Sequence, residues 1–247
     1  MTLRFAASDT RHNLNQVIDK EVFFSTRRDL GGLDYRPYRS PFHRVVKRGF
    51  DIVGSLLIIA IFLPLFLTVA VAIFCRDRGS IVFSHKRVGL NGKEFGCLKF
   101  RTMVSGAEEK LQDVLRSCPE KQLEWSTTQK LTADPRVISG VGEFLRKSSL
   151  DELPQLFNIL SGQMSFIGPR PVTESELCHY GSMVKYYLAT KPGLTGPWQI
   201  GGRSDLSFDE RVRLDIDYAM NGTLVTDCRI FAKTISAFLS GRLGGAA

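Results

Sequence analysis

Apolar and polar positions are spread unevenly along the chain. Residues 1 to about 40 mix charged and polar residues with no helical or strand period, carry Gly31-Gly32 and Arg36-Pro37-Tyr38-Arg39-Ser40-Pro41, and read as a mobile tail, residues 1–41. They lack the basic start, apolar run and cleavage site of a signal peptide. Then Ile52 to Cys75 runs for 24 residues without a charge. A straight helix of that length measures roughly 36 Å, enough to cross a hydrocarbon core of about 30 Å. Pro64, at its centre, removes a backbone donor and kinks or breaks a helix. Both flanks are basic: Arg44, Lys47 and Arg48 before, Arg76 and Arg78 after. The positive-inside tendency puts both flanks in the cytoplasm. Two anchors therefore stay open over residues 42–78. One is a kinked span. The other is a re-entrant helix–break–helix whose arms, each about 17 Å long, enter one leaflet.

Past the anchor the periods shorten. Ile81 to His85 alternates as a strand, Asn91-Gly92 is a hairpin turn signal, and Glu94 to Phe100 supplies the return strand. Residues 105–128 have a helical pattern interrupted near Pro119, and Asp134-Pro135 marks a turn. Short helices are expected near 142–147 and 152–161. Thr173 opens another, with Glu176 as capping-box partner. Pro192 to Gly202 reads as a glycine-rich loop, Phe208 to Met220 as a charged helix. Leu224 to Leu239 reads as an amphipathic helix for the core or the membrane interface. The expected fold class is α+β: a re-entrant membrane hairpin, a mainly helical catalytic domain over residues 79–240 with a small β-hairpin and interfacial helices, and a tail, 241–247.

Composition narrows the chemistry. The net charge of +8 on 247 residues favours an anionic partner. No recognition-helix pattern accompanies it, which argues against nucleic acid. The five cysteines are scattered, with no CxxC and no Cys/His cluster, so neither a disulfide framework nor a zinc site is expected. Walker loop, HExxH and nucleophile elbow are absent. Gly140-Val141-Gly142 is only a fragment of a dinucleotide fingerprint.

The strongest candidate lies between Asp151 and Pro171. Asp151 and Glu152 form an adjacent carboxylate pair ahead of a short apolar helix. Ser149-Leu150-Asp151-Glu152 also spells a capping box, although Pro154 would then fall in the second turn and clash with the Leu150 carbonyl. A start nearer Asp151 puts that carboxylate beside unpaired amides. Arg170 stands between Pro169 and Pro171 in a stiff turn suited to holding a phosphate, or is a solvated surface arginine. Arg146 and Lys147 precede the acids by about one turn, and Lys99 and Arg101 alternate along the return strand on one side. Pro197-Trp198-Gln199-Ile200-Gly201-Gly202-Arg203 either cradles a nucleotide or sugar, with Gln199 and Arg203 as contacts, or holds a core tryptophan beside a tight turn.

These residues together resemble the bacterial sugar transferases of the monotopic polyprenyl-phosphate hexose-1-phosphate type, most closely those that prime exopolysaccharides. The likeness covers Lys47 to Ser240. It rests on Lys47-Arg48-x-x-Asp51, Lys99-Phe100-Arg101-Thr102-Met103, Asp134-Pro135-Arg136 and Leu145 to Leu156. Gly168-Pro169-Arg170-Pro171, Lys191 to Gly196 and Trp198-Gln199 complete it. The resemblance implies transfer of hexose-1-phosphate from a UDP-sugar (galactose or glucose) to undecaprenyl phosphate, with release of UMP. Asp151 would be the nucleophile; Asp151 and Glu152 would help bind Mg²⁺; Arg146 and Arg170 would hold phosphate oxygens. It further implies a re-entrant anchor in one leaflet, a catalytic domain on the cytoplasmic face of the bacterial inner membrane, and downstream glycosyltransferases as partners. Self-association through the apolar hairpin is compatible with it. Here Leu63 stands where the family often has a serine before the break proline.

Overall fold

The computed structural model describes residues 41–128, 131–201 and 206–240. The expected terminal tails, apart from Pro41, and Arg203 lie outside the described residues. Pro41 belongs to the first helix rather than to a tail, as suits a residue whose missing N–H would be unpaired there anyway.

That helix, α1, spans Pro41–Arg76 with Pro64 inside it. It is the one helix among the described residues long and apolar enough to cross a membrane. The expected division into two helices is not seen. Burial nonetheless falls into two stretches. Asp51 and Ser55 are buried on the first arm and Val69 and Ile73 on the second, while Ala60 to Pro64 are exposed in an unbroken row. Thr68 Oγ1 donates to the Pro64 carbonyl (2.9 Å), a back-bond that bends helices. The outward face keeps Val53, Leu56, Leu57, Ile61, Leu67 and Val71 in the open.

Charged groups hold both ends of α1 to the same body. Lys47 pairs with Asp227 and donates to the Ile167 carbonyl. Arg48 donates to the carbonyls of Ile159 and Leu160, 2.6 Å each, at the end of a short helix. The Asp51 carboxylate accepts from Ser165 Oγ (3.0 Å) and the Phe166 amide (2.9 Å). Just beyond the other end, Asp77 is gripped by Arg101 and accepts the Ser105 amide. The Lys47-Arg48-x-x-Asp51 motif is thus a bracket that ties the anchor to the domain.

An antiparallel hairpin follows: β1 Val82–Val88 and β2 Glu94–Phe100, with Phe83 opposite Lys99 and Arg87 opposite Phe95. Asn91 (φ 57°) and Gly92 (φ 69°) take the left-handed conformations that the turn needs. Helices α2 Ala107–Ser117 and α3 Pro119–Thr128 confirm an interruption near Pro119, and α4 Val141–Ser148 leads to the acid pair. After a 3₁₀ turn, α5 Gln155–Leu160 packs beside β2. Its buried Asn158 donates to the Gly96 carbonyl and accepts the Leu98 amide, pairing the free edge of a two-stranded sheet.

The remaining elements build the other side of the core. β3 Ser165–Ile167 pairs in parallel with β4 Gly193–Thr195. Between them lie a 3₁₀ segment, Ser175–Met183, and α6 Val184–Leu188. The helical reading after Thr173 becomes this 3₁₀ stretch, though Thr173 and Glu176 do make the reciprocal capping bonds. The expected loop after Pro192 is instead β4 and then α7, Pro197–Gly201. Glycines do not make this stretch a loop, because they serve close packing of β3 against β4. Finally come α8 Phe208–Asn221 and α9 Leu224–Leu239. α9 leaves Val225, Ile235, Phe238 and Leu239 exposed, an apolar edge of the kind that interfacial helices present.

Candidate active site

Asp151 sits where two helices meet. α4 ends as Ser149 turns left-handed (φ 57°), and Leu150–Glu152 forms the 3₁₀ turn before α5. The Ser149 side chain does not make the capping bond, so the capping-box reading fails. Glu152 turns instead to Lys99 on β2, 2.7 Å away, and Asp151 lies 3.7 Å from the same ammonium. Asp151 is not at the entry of α5, which starts four residues later at Gln155 after the fully buried Pro154.

Burial dominates the Asp151 carboxyl and pushes its pKa up to about 6. Lys99 and Arg146 work against that rise, and Glu152 adds to it. Burial weakens the Lys99 ammonium, but Glu152 and Asp151 outweigh it and hold its pKa up. The result is a carboxylate that is mostly ionised at neutral pH yet poorly solvated, a suitable state for a nucleophile. Arg146, in the last turn of α4, donates from Nε to Thr102 Oγ1 (3.0 Å) and adds positive field at Asp151.

Two other arginines, the predicted site residue Arg101 and the motif residue Arg136, behave differently. Arg101 lies past the end of β2 and is not brought to the pair. Its guanidinium is buried against Asp77 and Ser105. The alternation argument fails for it because the strand stops at Phe100. Arg136 forks onto Asp134 (2.9 and 2.7 Å) and stacks over Trp125, so Asp134-Pro135-Arg136 is a structural clamp.

Arg170 belongs to a second group. Its guanidinium lies 5.4 Å from the Trp198 ring, which Arg211 also approaches at 5.4 Å. The Arg170 amide donates to Asp215, which also accepts from Tyr180. Burial pushes Asp215 up to about 7 against those two hydrogen bonds. Gln199 in α7 donates to the Leu194 carbonyl. Glu176 pairs with Arg87 at 2.8 Å. Burial opposes its charge, but the Thr173 amide, Arg170 and Arg87 hold its carboxyl below the usual range.

The two groups are joined by one face of the hairpin. His85, held down by burial and by Arg87, feels both Glu176 and Lys99. Charges therefore run from Asp151 and Glu152 through Lys99 and Arg87 to Glu176 and Arg170. Sequence reasoning missed Arg87, Asp215 and Tyr180. Arg87 lay beyond the turn signal: a two-residue Asn91-Gly92 turn would set Ser84 opposite Lys99, whereas the chain turns over Leu90–Gly92 and sets Phe83 there, which puts residues 83, 85 and 87 on the face of Lys99.

No group of three or more His, Cys, Asp or Glu able to hold a metal occurs among the described residues. Asp151 and Glu152 offer two carboxylates. Two suffice for Mg²⁺ only where substrate phosphates and water complete its octahedron.

Residues 42–241 match the family described as bacterial sugar transferase. The exopolysaccharide production protein ExoY of Sinorhizobium fredii is 48% identical over 202 residues, covering 82% of this chain and 89% of that protein. The UDP-galactose-lipid carrier transferase of Erwinia amylovora is 48% identical over 196 residues, 79% of this chain but 41% of its own length. The undecaprenyl-phosphate galactose phosphotransferase of Salmonella typhimurium is 47% identical, again over 41% of its length. The chain thus spans about two fifths of those two longer relatives and most of the ExoY relative. On this match, which takes in the anchor bracket, the acid pair and the Arg170 turn alike, the chain belongs to the bacterial sugar transferase family.

Proposed function

We propose that the chain is a phosphoglycosyl transferase that moves hexose-1-phosphate from a UDP-hexose, galactose or glucose, to undecaprenyl phosphate in the first step of exopolysaccharide assembly. The observation that carries this reading is Asp151: a carboxylate raised to about 6, steered by Lys99 and adjoining a cationic face. The names of the relatives support the donor and acceptor classes.

In the first step, an Asp151 oxygen attacks the β-phosphorus of the UDP-hexose. The bond from that phosphorus to the bridging oxygen breaks, UMP leaves with the electron pair, and a hexosyl-phosphoryl aspartate remains. In the second, an oxygen of the lipid phosphate attacks the same phosphorus. The acyl-phosphate bond breaks, giving polyprenyl-diphospho-hexose and the free carboxylate. Arg146 and Arg170 bear on the phosphate oxygens and Lys99 orients the two carboxylates. Asp151 and Glu152 would hold Mg²⁺ together with the donor diphosphate. When bound, the ion would offset the charge that develops on the leaving phosphate.

Insertion into one leaflet is supported by α1. The same domain holds both of its ends, and the longest unbroken exposed run of the helix, Ala60 to Pro64, lies between them. A helix crossing the bilayer would carry those ends about 30 Å apart on opposite sides. On this reading the domain lies at the cytoplasmic face of the inner membrane, where the donor and lipid phosphate meet.

The direct test is a UMP-release assay across UDP-sugars. Release is expected with UDP-galactose or UDP-glucose only when undecaprenyl phosphate and Mg²⁺ are both supplied for repeated turnover. No release with any UDP-sugar would reject the proposal. The pH profile tests the site further. Ionisation of Asp151 is expected to give the rate an acid limb near pH 6. Lys99 favours the ionised form, so Lys99→Met should move that limb to higher pH and lower the plateau. An unmoved limb would assign it to another group.

A further inference from the structure

The foot of α1 carries positive charge that the proposed reaction does not use. Arg48 and Lys191 converge over Gly162: a Cβ built there would lie 3.5 Å from an Arg48 nitrogen and 3.6 Å from Lys191 Nζ. Arg48 spends two N–H groups on the Ile159 and Leu160 carbonyls and keeps three. Lys191 Nζ has no hydrogen-bond or ion-pair partner among the described residues. Lys191 is half-buried, beside the charges of Arg48 and Lys47, with Asp51 as the opposing acid. The Asp51 carboxylate is already engaged by Ser165 and Phe166. Two cations held this close call for an anion between them.

The neighbouring surface indicates which anion. A shallow, open depression of about 580 Å³ on one face of α1 is lined by Pro41, Arg44, Val45, Arg48, Gly49 and Ile52. Its walls are apolar apart from two arginines one helical turn apart. A phosphate that carries an acyl chain matches both halves, whereas a free phosphate matches only the cations. The acceptor lipid is a poorer match, because its phosphate must reach Asp151. Arg48 caps the far end of α5, so roughly 9 Å of helix and residues 151–154 separate the two places.

We propose that Arg44, Arg48 and Lys191 hold the headgroup phosphate of an anionic phospholipid, its acyl chain lying along this face of α1. The inference rests on membrane insertion of α1, which flotation with neutral vesicles tests on its own. A chain that does not float would overturn the membrane reading; one that floats without lipid selectivity would overturn only this site.

The experiment uses the full chain in neutral detergent, with no sugar donor, and follows thermal unfolding. Phosphatidylglycerol at about a hundred times its Kd should raise the midpoint by roughly 5–10 °C, and phosphatidylcholine should not. Lys191→Met should lose at least half of that rise, and so should Arg44→Ala. Arg78→Ala, at the other end of α1, should keep it. Arg44 is exposed and makes no hydrogen bond or ion pair among the described residues, so Arg44→Ala carries the test if Lys191→Met does not fold. Equal rises in the unaltered chain and in Arg44→Ala would overturn the site. A similar rise with inorganic phosphate would overturn the lipid as its source. A rise with undecaprenyl phosphate but none with phosphatidylglycerol would reassign it to the acceptor.

Discussion

Asp151→Asn is expected to release UMP more slowly by roughly 10,000-fold or more, as loss of a covalent nucleophile does. The same protein is expected to unfold at a higher temperature than the unaltered chain. The two effects have one cause. Burial raises the Asp151 carboxyl from 3.8 to about 6 in the folded chain. A group raised in this way favours the folded state below its unfolded pKa, and that contribution is lost as pH climbs from 3.8 to about 6. At neutral pH the buried charge is therefore a liability. An asparagine of the same shape removes it, while Lys99 keeps Glu152 as its partner. The gain should be roughly 1–3 kcal/mol at pH 7.5 without divalent metal, shrinking towards pH 4, as differential unfolding at the two pH values will read out. Full UMP release by Asp151→Asn would remove Asp151 from the nucleophile's place. A lower midpoint would mean that the carboxylate stabilises the fold.

Gly193→Ala should cost about 3 kcal/mol or more and most of the activity. β3 and β4 approach so closely that a Cβ at Gly193 would lie 2.5 Å from the Thr195 carbonyl oxygen and nearer still to the Gly168 amide. A Cβ at Gly168 would in turn meet the Lys191 carbonyl at 2.4 Å. These are backbone atoms and cannot swing aside. The pair also fixes the Arg170 turn: Gly168 donates to the Thr195 carbonyl and Gly193 to that of Pro169. Prising the strands apart therefore moves Arg170 off Trp198 and Asp215. Urea unfolding and UMP release measured on the same preparation will check it. Gly140→Ala, where no atom lies within 4 Å of the added carbon but φ is +75°, gives a comparison for strain alone. A Gly193→Ala chain as stable and active as the unaltered one would mean that the strands can part freely.

How much of this was legible in the sequence varied with the range of the interaction. The hairpin, the split at Pro119, α8 and α9 all follow from local periods and turn residues; the structure keeps β2, α8 and α9 within a residue and carries β1 three residues past its expected end, to Val88. The acid pair was legible too, although its capping-box alternative fell only when Glu152 was seen to reach Lys99, a contact 53 residues away. Interactions of long range were not legible. Arg101 looked like a neighbour of Lys99 until the strand ended one residue too soon. The glycines after Pro192 looked like a loop, because their packing partner, Gly168, lies far back in the chain. Asp215 and Tyr180 carried no local signal, since only the fold brings them under Arg170.

The bracket at the foot of α1 has a consequence for how the chain is made. Lys47 waits for Ile167 and Asp227, which follow it by 120 and 180 residues, and Arg48 waits for Ile159, 111 residues on. At a synthesis rate of about 5–20 residues per second, Asp227 emerges some 10–35 seconds after Lys47. Under the proposed insertion, α1 therefore settles in the lipid before the domain exists to hold it. α9, made some 180 residues later, then closes the ion pair on α1, and under the proposed insertion the bilayer is the early scaffold on which the domain folds.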